Sequence, residues 1–358
     1  MHITESSRDA LNTGSQGSLS YDPYALIDIH LHLDGSLSVA NTRQLIALCE
    51  PGSASADAVA HLHQINDSRL VELLSVDEGC TDLNEYLSKF DLPARLLQTK
   101  VQLTLAAETL LHELSELGLA YAELRFAPQR HTWDGLTQAE AIEAVIEGMA
   151  AAPIPASLIL CCMRGDDNHA ENTETLELAC AHLEHGVAAL DLAGAEALFP
   201  TRDFTDIFAE AAKRGLPYTI HAGEAAGPES VWEALEMGAQ RIGHGVRSIE
   251  DPDLVRELAS RGTVLELCPT SNLNTSVYSD LGNYPVREFL EAGVRVCVNA
   301  DNIAVSRTHV GRELRLVKDV LSLSDEDVRI LVMNAIEASY ADNDTKAELK
   351  TLVNNRLP

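Results

Sequence analysis

The chain has 358 residues, of which 46% are hydrophobic, a proportion that supports a large core and excludes a disordered chain. Its 26 basic and 55 acidic residues give a formal net charge of −29, which argues against nucleic acid and anionic membranes as partners. No apolar run is long enough to span a bilayer. The seven cysteines lack CxxC spacing and the N-terminus lacks a signal architecture, so we expect a cytoplasmic protein with reduced thiols.

A polar segment, residues 1–22, predicts a flexible leader, and residues 23–358 predict a single domain. The domain contains eight strand-like apolar runs: 25–32, 119–128, 156–164, 187–194, 217–224, 241–246, 263–271 and 294–301. Longer helical patterns separate most of these runs, and several of them end in glycine, as helix C-termini commonly do. Strands that alternate with helices predict βαβ units and a parallel sheet.

Eight βαβ units are the number that closes a (β/α)₈ TIM barrel, so the fold class is α/β. An open, doubly wound sheet is the alternative, which we disfavour because no glycine-rich phosphate-binding motif follows the first strand. A long helical insertion, about residues 35–118, separates the first two strands and is either a lid over the barrel mouth or an elaboration of the packing. We expect residues 302–358 to add helices to the outer ring.

Ionisable residues collect at the predicted strand ends. The segment DIHLHLDGSL alternates polar and apolar residues, so a strand would place its histidines and aspartates on one face. The other polar residues at strand ends lie in HAGE, IGHG and NADN: His221, Glu224, His244 and Asp301. Catalytic groups of barrel enzymes occupy the C-terminal ends of the strands, where they converge at one mouth.

Each of these residues has a simpler interpretation by itself. An HxH pair can be accidental, His244 could be a turn residue, and Asp301 could cap a helix. Asp28 lies deeper on the same face as the histidines, where we expect a supporting hydrogen bond. Together, three imidazoles and a carboxylate at strand ends suit Zn²⁺, although other divalent metals remain possible.

Six motifs, in the order HLHLDGSL, DLAGAE, TIHAGE, RIGHG, ELCPTSN and VNADN, resemble those of the adenosine deaminase family of amidohydrolase barrels. The similarity extends from about residue 25 to the last helices and includes LNEYLSKFD and YAELRFAPQRHT. It implies a barrel with one zinc ion per chain. It also implies hydrolysis of adenosine, and of 2′-deoxyadenosine, to the 6-oxo nucleoside and ammonia.

The resemblance also implies roles for individual residues. His30, His32, His221 and Asp301 correspond to the zinc ligands, and His32 is also placed among the substrate-binding residues. Glu224 corresponds to the acid that protonates purine N1, and His244 to the histidine that helps deprotonate the attacking water, so that Glu224, His244 and Asp301 form the catalytic set. Asp34 corresponds to a ribose contact and Gly194 to a purine contact. Asn302 stands where many family members have an aspartate that contacts purine N7, and Ala300 where threonine is frequent.

The chemistry of the reaction needs the same groups. An aromatic amine is a poor leaving group, and C6 becomes a good electrophile only when purine N1 gains a proton. A metal can supply the attacking hydroxide at neutral pH. The zinc signature of the nucleic-acid deaminases, HxE with PCxxC, is absent from the sequence. We therefore expect a small purine nucleoside as the substrate; the sequence gives no oligomeric state.

Three alternatives remain at this point. An adenine deaminase, or a deaminase of another 6-aminopurine, would share the catalytic residues. A two-metal amidohydrolase would need a bridging lysine at the end of the fourth strand, where this chain has DLAGAE. A catalytically silent binding protein would lack a ligand or the acid, and all of these are present.

Overall fold

The computed structural model describes residues 21–49, 59–77, 79–80 and 83–357. Most of the predicted leader therefore lies outside the described residues. The strands found in the described part of the chain are β1 Ile27–His32, β2 Tyr121–Phe126, β3 Ala156–Met163, β4 Val187–Ala193, β5 Thr219–Ala222, β6 Arg241–His244, β7 Val264–Leu267 and β8 Arg295–Val298. Each of them lies within one of the predicted apolar runs.

Helices connect and surround the strands. The α-helices are Val39–Ala47, Asp67–Leu74, Leu83–Ser88, Asp91–Leu96, Lys100–Leu117, Gln138–Ala151, His169–Ala181, Thr205–Lys213, Pro228–Glu236, Pro252–Arg261, Pro269–Asn274, Val286–Glu291, Val310–Leu321, Asp325–Ala338 and Asn343–Arg356. Short 3₁₀ helices are Ala60–Gln64, Pro128–His131, Thr201–Phe204, Val246–Glu250 and Leu281–Asn283. None of the helices in the described ranges is both long enough and apolar enough to cross a membrane.

The strands form a closed ring. They make two parallel sheets, in the orders β1-β2-β3-β4 and β5-β6-β7-β8. Leu190 of β4 pairs with Tyr218 beside β5, and Leu31 of β1 pairs with Asp301 just after β8. The second junction is held by His32, whose backbone N–H donates to the carbonyl of Asp301 at 2.9 Å. These junctions close a (β/α)₈ barrel, as predicted, and exclude the open doubly wound sheet.

Two of the predicted runs extend beyond their strands into a helix that begins with proline. The run 263–271 includes Pro269, which begins the helix Pro269–Asn274, so that β7 ends at Leu267. The run 119–128 similarly ends in Pro128, the first residue of a 3₁₀ helix. Proline lacks the N–H that a central strand needs, whereas the first turn of a helix leaves that donor unused.

The insertion both packs the barrel and reaches its mouth. Its helix Lys100–Leu117 packs against Gln138–Ala151, where the Thr104 hydroxyl donates to the carbonyl of Ala144 at 3.0 Å. Tyr86, from the helix Leu83–Ser88, is buried and contacts residues that follow β7 and β8. The insertion therefore includes a helix that packs on the outside of the barrel and a residue, Tyr86, that lies at its mouth.

The C-terminal helices complete the ring, as expected. The helix Asp325–Ala338 packs against β8 and β1, and Asn334 donates its side-chain amide to the carbonyl of Val296 at 2.9 Å. Inside the seam between β1 and β8, the buried Asn299 accepts the backbone N–H of Ile29 at 3.1 Å. A side chain therefore supplements the backbone pairing that closes the barrel.

We predict that Asn299→Ala lowers the free energy of unfolding by about 1–3 kcal/mol, because a buried N–H loses an acceptor. Urea denaturation followed by circular dichroism measures this change. Asn343→Ala, at an exposed position, is the control. Equal stability of the two variants would show that Asn299 does not support closure of the barrel.

Candidate active site

The ends of β1, β5 and β8 bring three imidazoles and a carboxylate together. The Nε2 atoms of His32 and His221 lie 3.3 Å apart. The Oδ1 atom of Asp301 lies 3.4 Å from Nε2 of His32 and 3.6 Å from Nε2 of His30. The ligand atoms of His30, His32 and His221 all lie within 4.8 Å of one another. Residues far apart in the sequence thus form one cluster of nitrogen and oxygen atoms.

The spacing of these atoms fits a metal ion. Bonds of about 2.0–2.1 Å in a tetrahedral arrangement imply ligand atoms about 3.3–3.4 Å apart, close to the distances that His32 makes with His221 and Asp301. In addition, the buried Nε2 of His30 has no hydrogen-bond partner among the described residues. A buried polar atom normally has a partner, so the donor set fits a bound cation.

The packing of the rings requires a glycine on the neighbouring strand. The rings of His30 and His221 meet edge to face, with centroids 4.6 Å apart. A Cβ on Gly243 of β6 would lie 3.0 Å from Cε1 of His30 and 3.1 Å from Cγ of His221. A residue larger than glycine at position 243 would therefore shift the imidazoles of His30 and His221.

Buried carboxylates hold the outer nitrogens of these two rings. Glu266 of β7 lies 2.7 Å from Nδ1 of His30, and Asp191 of β4 lies 2.9 Å from Nδ1 of His221. Arg125 of β2 joins them, since one Nη donates to Asp191 and the other to Glu266, both at 2.9 Å. A carboxylate on the outer nitrogen fixes the tautomer and the orientation of an imidazole, leaving its other nitrogen free for a metal.

The buried charges compensate one another. Burial by itself would raise the pKa of Asp191, but the charges of His221 and Arg125 hold it well below its usual range. Burial opposes ionisation of Glu266 too, and Arg241 and Arg125 outweigh it, lowering the pKa of Glu266 to about 2. Burial also lowers the pKa values of His30 and His32, which keeps both imidazoles in the neutral form that binds metals.

Glu224 and His244 lie together beside this cluster. Oε2 of Glu224 is 3.6 Å from Nε2 of His244. Burial raises the pKa of the Glu224 carboxyl to about 7; the charge of His221 opposes this rise and that of Glu196 adds to it. Burial lowers the pKa of His244 to about 4. At neutral pH the site therefore offers a carboxyl that still carries its proton in a substantial fraction of molecules, and an uncharged imidazole.

The orientation of His244 is fixed by its backbone and by a neighbouring amide. Its φ of 59° lies in the left-handed region, as does the φ of 61° at Asp301, and such conformations are often found at functional sites. The side-chain amide of Asn272 lies 3.1 Å from Nδ1 of His244, and the hydroxyl of Tyr284 donates to Asn272 at 2.8 Å. These contacts hold the ring in place with Nε2 toward Glu224.

The remaining predicted residues surround the cluster without joining it. Asp34 is partly buried two residues beyond β1, and Gly194 follows β4, next to the backbone of Arg164. Asn302 follows Asp301 and donates its side-chain amide to the hydroxyl of Tyr86 at 3.0 Å. The carbonyl oxygen of the Asn302 side chain is buried without a partner among the described residues. Asp28 accepts the backbone N–H groups of His30 and Ala300, the supporting role expected of it.

Several residues of the site were not found from the sequence. They are Tyr86, Arg125, Asp191, Glu196, Glu266 and Asn272. The signal for three of them was present, because Asp191 and Glu266 are single charges within otherwise apolar strands and Arg125 is one of two charges in β2. A charge in a strand buried on both faces needs a partner, and this is the same pattern that singled out DIHLHLDGSL.

A second group of possible ligands, His30, His244 and Cys268, shares one histidine with the first. Burial raises the pKa of the Cys268 thiol well above its usual value, whereas a metal binds the thiolate. Nδ1 of His244 is also already occupied by Asn272. The cluster of His30, His32, His221 and Asp301 is therefore the better candidate metal centre.

The family model for adenosine deaminase matches residues 25–356. The chain belongs to the adenosine deaminase family. Members of this metal-dependent amidohydrolase family are hydrolases that act on small purines. The family resemblance read from the sequence motifs is thereby confirmed.

Several proteins of known identity resemble this family member. The adenosine deaminase of Haemophilus ducreyi is 45% identical over 343 residues, which cover 94% of this chain and 97% of the relative. The adenosine deaminase of Clostridium botulinum strain Loch Maree is 37% identical, covering 91% and 96%. The crystal structure of an adenine deaminase from Arthrobacter aurescens is similar with a TM-score of 0.80 and 28% identity, covering 93% of this chain and 98% of that one.

We predict that Arg125→Lys weakens metal binding by about 10- to 100-fold, the effect typical of losing a group that orients metal ligands. A lysine keeps the positive charge, but its single ammonium cannot donate to two carboxylates in the geometry of the guanidinium fork. Competition with a chromophoric chelator measures the affinity. Arg130→Lys, at an exposed arginine, is the control, and equal affinity of the two variants would contradict the bridging role.

Proposed function

We propose that this enzyme hydrolyses adenosine to inosine and ammonia, and that it accepts 2′-deoxyadenosine. The observation that carries the proposal is the placement of Glu224, whose pKa burial raises to about 7, beside the cluster of His30, His32, His221 and Asp301, in a chain that is 45% identical to an adenosine deaminase. The reaction needs an acid for purine N1 and a nucleophile at C6, and these two groups of residues answer those needs.

We propose zinc as the cofactor, one ion per chain, held by His30, His32, His221 and Asp301. Three imidazole nitrogens and one carboxylate are a donor set that suits Zn²⁺. When bound there, zinc supplies a water of lowered pKa at neutral pH. The uncharged imidazoles of His30 and His32 and the ionised Asp191 and Glu266 prepare the site for the cation.

Glu224 acts as the general acid in this proposal. Its carboxyl donates a proton to N1 of the purine, which draws electron density from C6 and makes that carbon electrophilic. An acid works best when its pKa lies near the operating pH, and burial raises the pKa of Glu224 to about 7. As ammonia departs, the C6 hydroxyl loses its proton to solvent and becomes the 6-oxo group, and the carboxylate of Glu224 regains a proton from solvent.

His244 accepts a proton from the attacking water, and Asp301 orients that water. His244 is neutral at physiological pH, so it can accept this proton when the oxygen bonds to C6 and can pass it toward the departing amine. Its ring is held by Asn272, so the imidazole presents the same nitrogen throughout. Asp301 lies against the imidazoles of His30 and His32, where it orients the nucleophile.

Four residues are proposed to bind the nucleoside. Asp34 contacts a ribose hydroxyl, Gly194 contacts the purine ring through its backbone, and His32 lines the space occupied by the sugar. Asn302 donates to purine N7. A carboxamide carries two N–H donors, so one hydrogen remains for N7 while the other is donated to Tyr86.

We further propose that residues 23–358 act as one catalytic domain in the cytoplasm. The buried free thiols of Cys161, Cys162, Cys268 and Cys297 support a reducing compartment. The substrate is a small molecule, and no nucleic acid or membrane takes part in the proposed reaction.

Adenine is the second candidate substrate, because the fold is similar to that of an adenine deaminase. The higher identity to adenosine deaminases favours the nucleoside. We predict that kcat/KM is highest for adenosine, similar for 2′-deoxyadenosine and far lower for adenine, as measured from the ultraviolet change on deamination. A clear preference for adenine would overturn the choice of substrate.

We predict that Glu224→Gln lowers kcat by about 10²- to 10⁴-fold, the usual contribution of a general acid, and leaves the metal content unchanged. The carboxyl is protonated below its pKa, so kcat/KM of the wild type should fall as the pH rises through the neutral range. This alkaline limb should be missing from the variant. Near-normal activity of Glu224→Gln would contradict the assignment of the acid.

A further inference from the structure

The backbone of the loop after β5 is wrapped around the carboxylate of Glu196, a residue of the β4 loop. Glu196 is only 4% exposed. One of its oxygens accepts the N–H of Gly223 at 2.7 Å, and the other accepts three consecutive N–H groups, those of Glu224 at 3.0 Å, Ala225 at 2.7 Å and Ala226 at 2.9 Å. Successive backbone N–H groups that converge in this way form an anion-binding nest, and here the anion is a side chain of the same protein.

A chain of hydrogen bonds links Glu196 to His221, the proposed metal ligand on β5. The hydroxyl of Ser230 donates to Glu196 at 2.5 Å and lies 2.7 Å from that of Thr201. Arg164 donates to Thr201 at 2.8 Å and to the backbone carbonyl of His221 at 2.6 Å. One hydrogen-bonded network therefore holds the carbonyl of His221 and the N–H of Glu224, three residues apart on opposite sides of Gly223.

We propose that Glu196 is a positioning residue for the reaction: it fixes the backbone of residues 223–226 so that the carboxyl of Glu224 stays in line with purine N1. The inference rests on the proposed function, because it assigns a purpose to the placement of the acid. Among the hydrogen bonds of the described residues, Glu196 makes none to the metal cluster or to His244.

The donors around Glu196 call for a carboxylate. An ionised carboxylate offers acceptors only, at both of its oxygens, and every group that faces Glu196 in this nest is a donor. A glutamine has the same size but presents an NH₂ group at one end. Either orientation of that amide sets N–H against N–H and releases at least one side of the loop.

We predict that Glu196→Gln lowers kcat for adenosine by about 10²-fold, the cost of displacing a catalytic group by about 1 Å. KM should change little, because the proton on N1 matters in the transition state more than in the bound substrate. The zinc content should remain at one ion per chain. Glu229→Gln is the matched control: Glu229 lies in the first turn of the helix that follows this loop, is exposed and accepts one N–H, that of Gly227 at 3.1 Å.

Two further measurements separate positioning from a general loss of structure. Hydrogen exchange resolved to single amides should be faster at residues 223–226 in Glu196→Gln and unchanged in Glu229→Gln. In a double-mutant cycle, adding Glu196→Gln to Glu224→Gln should cost little further activity, because the first residue acts through the second. If the glutamine variant does not fold, Glu196→Asp keeps the charge, withdraws the carboxylate by one methylene, and should show the same loss of kcat and of amide protection.

The outcomes distinguish this inference from the proposed function. If the wild type does not deaminate adenosine, the proposed function fails and the inference fails with it. If the wild type is active and Glu196→Gln matches Glu229→Gln in kcat, the inference alone is overturned. It is also overturned if the losses from the Glu196 and Glu224 substitutions multiply.

Discussion

The guanidinium of Arg125 is the interaction on which the rest of the site depends. It is fully buried inside the barrel and joins Asp191 to Glu266. Each carboxylate then orients one imidazole of the proposed metal centre. Two carboxylates buried in a barrel repel one another and lose their hydration, so they remain ionised only when a cation lies between them. The histidines of β1 and β5 are thus aligned by a fully buried charge on β2.

Much of the fold could be read from the sequence, because the hydrophobic pattern is strong. Eight apolar runs separated by helical patterns permit few arrangements, and the structure has a strand in each of them. Strand ends were less predictable, since Pro128 and Pro269 begin helices within the predicted runs. Closure of the ring depends on pairing between residues as distant as Leu31 and Asp301, which only the count of strands indicated.

The candidate site was predictable where residue type alone indicates chemistry. His30, His32, His221 and Asp301 are metal-binding types at strand ends, and the structure brings them together. Glu196 and Tyr86 are different, because their positions depend on how loops fold over the barrel. The nest around Glu196 is made of backbone N–H groups, which every residue except proline carries and which leave no mark in a sequence. The contacts of Glu196 and Tyr86 therefore depend on strand register and loop geometry, which cannot be predicted from a single sequence.

A crystal structure of the zinc-loaded protein, with anomalous data on both sides of the zinc absorption edge, tests the proposed metal centre most directly. We predict one anomalous peak per chain, about 2.0–2.2 Å from Nε2 of His30, His32 and His221 and from an oxygen of Asp301. A peak between His30, His244 and Cys268, or two ions in the barrel mouth, would contradict it.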